Sequence, residues 1–76
     1  MRLSDGLIDE TYEVISIDLP FQIEKRLQAL GMTLHTNIEL LHKKRNGTLV
    51  INLRGTRFAL GKDITKRIEV KVCPKN

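Results

Sequence analysis

Leu49-Val50-Ile51-Asn52-Leu53-Arg54-Gly55-Thr56-Arg57-Phe58-Ala59-Leu60-Gly61 is the stretch that decides the fold. Leu49, Ile51 and Leu53 alternate with Val50, Asn52 and Arg54, the period-two pattern of a strand. Gly55 allows a sharp bend or bulge. Thr56–Leu60 then reads as a further short strand carrying Phe58.

On the N-terminal side, residues 36–42 alternate again, with Ile38 and Leu40 flanking Glu39. Asn46-Gly47, two residues that tolerate positive φ, marks a hairpin between these strands. Further upstream, residues 20–30 change period. Ile23, Leu27 and Leu30 fall at i, i+4 and i+7, which predicts an amphipathic helix with those three facing the core. Pro20 suits its first turn and Gly31 its left-handed cap. Thr11–Ile17 is rich in β-branched residues and reads as a strand, and the adjacent apolar pair Val14-Ile15 predicts cover on both faces there.

On the C-terminal side, Asp63-Ile64-Thr65-Lys66 reads as a single helical turn with Asp63 as candidate N-cap. Residues 67–72 form the cleanest strand, with Ile68, Val70 and Val72 inward and Arg67, Glu69 and Lys71 outward. Gly6, Gly61 and Pro74 complete the punctuation. The expected fold is mainly β, one domain over residues 1–76. It is a small SH3-like five-stranded barrel with one α-helix after the first strand and a short helical turn before the last. Curling into a cylinder buries the apolar faces of so short a chain and reduces open edges. An OB-like barrel is the rival, but it places its helix between the third and fourth strands.

Composition narrows the function. Seventy-six residues, 41% hydrophobic and 29% charged, leave little room for a buried substrate cavity. The single cysteine, Cys73, excludes an internal disulfide. No stretch approaches the ~20 apolar residues of a membrane helix, and the first residues lack an apolar signal core, so a cytoplasmic location is expected. The formal charge of +4 raises nucleic acid and anionic surfaces as partners, but the excess is modest.

Two segments, Arg26-Leu27-Gln28-Ala29-Leu30-Gly31-Met32 and Arg54-Gly55-Thr56-Arg57-Phe58-Ala59-Leu60-Gly61, together with the opening Leu3-Ser4-Asp5 and the closing Ile68-Glu69-Val70, resemble the FeoA family. These are small bacterial cytosolic proteins of ferrous iron transport, and the resemblance covers nearly the whole chain. It implies an SH3-like barrel that acts as accessory to FeoB, a ferrous permease with a cytosolic GTPase domain. The same module closes iron-dependent repressors resembling the diphtheria toxin regulator. No helix-turn-helix precedes it here, so the free-standing accessory is expected. One departure is local: the family places Pro-Gly shortly after the helix-capping Gly, whereas here the chain reads Met32-Thr33-Leu34-His35. A turn that normally receives Gly must accept His35 or be rebuilt.

No catalytic constellation is present. Ser4 and Ser16 lack a nucleophile elbow, Gly55 and Gly61 lack the P-loop Lys-Ser/Thr, and Asp9-Glu10 reads as solvated charge. No enzyme activity and no cofactor are assigned. The transition-metal association directs attention to His35, His42 and Cys73, yet none has a partner at ligand spacing, and no high-affinity iron site is expected. Lys43-Lys44-Arg45 with Arg54 and Arg57 supports the alternative of a small basic barrel binding RNA or single-stranded nucleic acid. Such binders add stacking aromatics, and here only Tyr12, Phe21 and Phe58 exist, so nucleic acid is not the expected partner. The favoured reading is a protein-binding surface of Arg26, Leu30, Met32, Leu34, Arg54 and Arg57, in which exposed Met32 and Leu34 form an apolar patch with a cationic rim. Its expected partner is the permease, through which alone the chain would meet the membrane, and self-association is left open.

Overall fold

The computed structural model describes residues 1–73. Pro74, read above as a terminal mark, lies outside the described residues. A 3-10 turn, Leu3–Asp5, opens the chain and is followed by β1 (Thr11–Ile17), α1 (Phe21–Ala29), β2 (Asn37–Lys43), β3 (Leu49–Leu53), β4 (Thr56–Leu60), α2 (Lys62–Thr65) and β5 (Ile68–Val72). The strands form one antiparallel sheet in the order β4-β3-β2-β1-β5. Leu60 from β4 and Ile68 and Val70 from β5 join the same buried cluster as Val14, Ile38, Leu40 and Ile51. The two outer strands can share one core only if the sheet curls over it, which gives the SH3-like half-closed cylinder.

Two bulges supply that curvature. The register between β1 and β5 shifts between Val14 and Ser16, and that between β2 and β3 between Leu40 and His42. Each bulge holds one extra residue, Ile15 and Leu41, and bends its strand. The adjacent apolar pair Val14-Ile15 therefore marks a bulge, with Val14 fully buried and Ile15 half-buried.

The turns differ from expectation. Arg54 (φ 52°) and Gly55 (φ 83°) both have positive φ between the paired residues Leu53 and Thr56, so the tight two-residue hairpin lies there. At the 44–48 loop only Gly47 is left-handed, and its N–H donates to Lys44 O at 2.9 Å, a longer turn. Pro20 is not inside α1 but caps it, accepting from the N–H groups of Ile23 and Glu24. Gly61, not Asp63, caps α2, and Asp63 instead faces Lys66 at 3.5 Å. Val72, expected inward, is exposed at the end of its strand. Leu3 and Tyr12 are buried, and the Tyr12 hydroxyl accepts from Leu7 N at 2.7 Å, anchoring the opening segment on the sheet.

Candidate functional site

The end of α1 organises one end of the molecule. Leu30 is the last right-handed residue, and Gly31 follows at φ 104°. Gly31 N donates to Gln28 O and Met32 N to Leu27 O, both at 2.9 Å, the pair of bonds that defines a Schellman cap. Such a cap brings an apolar residue two positions beyond the helix onto one in its last turn. Leu27 and Met32 fill those places, and both are buried. Met32 is therefore core, which corrects the expectation that it is exposed. Leu30 is corrected the other way: read as part of the core face, it is 47% exposed. A Gly followed by an apolar residue after a helical pattern was the signal for Met32.

The segment beyond the cap projects Leu34, 53% exposed. It is held at both ends. His35 N donates to Val14 O at 2.7 Å, Val14 N to Thr36 O at 3.0 Å, and the Thr33 and Thr36 hydroxyls pair at 2.8 Å. His35 takes a left-handed conformation at φ 70°, so of the two alternatives the turn accepts His35 and is not rebuilt. Its Nδ1 donates to Glu13 Oε2 at 2.8 Å, since an ionised carboxylate only accepts. Lys71 Nζ lies 3.8 Å from the other oxygen of Glu13. The His35 hydrogen bond, reinforced by the charge of Lys71 and opposed by partial burial, holds the Glu13 carboxyl below the usual carboxylate range.

Arg54 reaches the same end from the β3–β4 turn. Its Cδ lies 3.3 Å and its Nε 3.5 Å from the place a Gly31 Cβ would take. Arg26 stands one helical turn before Leu30 on the surface of α1. Arg54 thus packs on the Gly31 cap between exposed Leu30 and the segment that carries Leu34, while Met32 is buried. Arg57 stands exposed on β4 opposite Asn52.

The other candidates scatter. His35 is engaged with Glu13, His42 is exposed on β2 opposite Val50, and Cys73 Sγ donates to Asn37 Oδ1 at 3.2 Å. Among the described residues no three His, Cys, Asp or Glu side chains converge to hold a metal ion. The basic loop Lys43-Lys44-Arg45 sits at the 44–48 turn, where Lys43 Nζ donates to Ser4 O at 3.0 Å. Of the aromatics, Tyr12 is buried, Phe58 packs against the core, and Phe21 carries Lys25 Nζ 5.1 Å above its ring. The Glu13–His35 pairing was invisible to spacing, because it joins a strand to a loop across α1.

No helix among the described residues is long and apolar enough to cross a membrane. Comparison with the curated proteins finds no match. Solved structures match over nearly the whole chain. The FeoA protein of Chlorobium tepidum superposes with a TM-score of 0.91 at 21% identity, over 100% of this chain and 73% of that one. An iron uptake regulatory protein, FeoA, superposes with 0.86 at 26% identity, over 96% and 97%. The zinc-complexed FeoA of Stenotrophomonas maltophilia superposes with 0.78 at 30% identity, over 93% and 89%. That protein is described as a procaryotic SH3 domain protein and a candidate activating factor of ferrous iron transport. The FeoA domain model matches residues 1–72, nearly the whole chain, and the chain belongs to the FeoA domain family.

Proposed function

We propose that this chain is a non-enzymatic, cytoplasmic accessory of ferrous iron transport that binds the cytosolic portion of a FeoB-type GTPase permease. The carrying observation is the end surface of α1. Leu30 and Leu34 stay about half exposed on backbone locked by hydrogen bonds, with Arg26 one helical turn before Leu30 and Arg54 packed on Gly31. An apolar centre with a cationic rim is the anatomy of a contact site. A rigid segment binds with little ordering entropy, which favours Leu34 as the anchor. Iron is the cargo of the partner in this reading. An accessory can shift its target only by binding one state better than another, so a preference for one nucleotide state is expected. The test is a pull-down of the permease's cytosolic portion by this chain with and without GTP. Retention by the native chain and loss with Leu34→Asp supports the reading. Equal retention of native and variant removes Leu34 from the contact, and no retention in either nucleotide state removes the partner.

A further inference from the structure

We propose that the free edge of β4 is a second contact site, which takes an extended acidic segment of a partner polypeptide as a sixth strand. The inference rests on the reading of this chain as a partner-binding module but not on which protein the partner is. β4 ends the sheet, and among the described residues nothing pairs with its outer side. The opposite edge is covered: Val70 N donates to Met1 O at 2.7 Å, and Arg2 bridges to Glu69. The hairpin phase shows which backbone groups are free. A two-residue turn makes Leu53 and Thr56 a hydrogen-bonded pair, and Ile51 with Phe58 and Leu49 with Leu60 share that phase. Arg57 and Ala59 alternate with them, so both turn their N–H and C=O outward. Both residues are exposed.

Charge selects the occupant. Between Glu39 and Asp63 the chain carries no Asp or Glu but has Lys43, Lys44, Arg45, Arg54, Arg57 and Lys62. The remainder holds the other seven of 13 Lys and Arg and all nine Asp and Glu. The β3–β4 hairpin therefore carries basic side chains and no acidic one. A second copy pairing edge to edge would set this basic hairpin against itself, and a basic residue such as Arg57 on an open strand discourages self-pairing. An extended segment with acidic side chains meets no such penalty: its backbone bonds Arg57 and Ala59, and its carboxylates face Arg57.

The probe is a ten-residue peptide of alternating Glu and Val, titrated into the ¹⁵N-labelled chain and followed by amide shifts and hydrogen exchange. Expected are new protection at Arg57 and Ala59, weakening by added salt, and no binding of the Lys-Val counterpart. Ala59→Pro removes an outward N–H that the β3 ladder does not use, so the sheet stays while affinity falls at least about tenfold. Arg57→Glu leaves the backbone intact and lowers affinity by about fivefold or more. Shifts centred on Leu34 or on Lys43-Lys44-Arg45 overturn the proposal. So does a single-stranded RNA that binds as tightly and ignores Ala59→Pro. Loss of permease retention with Leu34→Asp, but no peptide protection of β4, sinks this inference and leaves the permease reading standing. Protection of β4 without any permease retention does the reverse.

Discussion

Gly31 and Arg54 pack directly on each other, the Arg54 Cδ lying 3.3 Å from where a Gly31 Cβ would sit. Both residues are left-handed, at φ 104° and φ 52°. The end of α1 and the β3–β4 turn thus share one contact, built from two unusual backbone conformations.

Gly31→Ala tests the helix side of that contact. A Cβ there meets the Arg54 side chain and forces an L-residue into left-handed space. The expected loss is about 1–2 kcal/mol in chemical denaturation, at unchanged denaturant slope.

Arg54→Asn tests the turn side. Asn-Gly is the preferred pair for a turn with two positive φ angles, so the variant should gain about 0.5–1 kcal/mol. Under the proposed function it should also bind the permease less well, because the guanidinium leaves the end surface. A variant that is more stable yet binds as tightly as the native chain would remove Arg54 from the contact, and one that gains no stability would count against strain at its left-handed φ.

Met32 and Leu34, two residues apart, should behave in opposite ways. Met32→Asp places a carboxylate in the core and should cost at least about 3 kcal/mol. Leu34→Asp changes a side chain that is 53% exposed and should leave the melting transition nearly unmoved. Equal destabilisation by both would contradict the Schellman arrangement.

Acid stability should carry a signature of Glu13. Its folded-state pKa lies below the unfolded one, chiefly through the His35 hydrogen bond. Its contribution is therefore fully present above the unfolded carboxylate pKa and fades as pH falls through the lower, folded one. Unfolding curves between neutral and strongly acidic pH should show a shallower acid limb for Glu13→Gln than for the native chain. His35→Ala should shift the limb in the same direction.

Gly6 is confined by space, not by its φ. A Cβ there would stand 3.1 Å from Leu3 O and from Tyr12 Cε2, and 3.2 Å from Leu40 Cδ2. Gly6→Ala should destabilise by about 1–3 kcal/mol, and a thermal melt at the native temperature would count against this packing.

The strands, the helix and their order were legible in the sequence, because period-two and period-3.6 patterns report which face of a local element is buried. Thr11–Ile17 and Thr56–Leu60 needed no correction, and Ile38, Leu40, Leu49, Ile51 and Leu53 all proved buried. Leu30 fits the helical period yet is exposed, since the period fixes a face and not how far along the helix the core extends. Met32 breaks the pattern yet is buried, since the cap folds it back onto Leu27. The candidate site was half legible for the same reason: residue types named Leu34, Arg26 and Arg54, but only tertiary packing could set Arg54 on Gly31, pair His35 with Glu13 and leave Arg57 apart on an open edge. Local chemistry determines the elements, whereas contacts between distant segments depend on how the sheet curls, and that is decided only when the whole core closes.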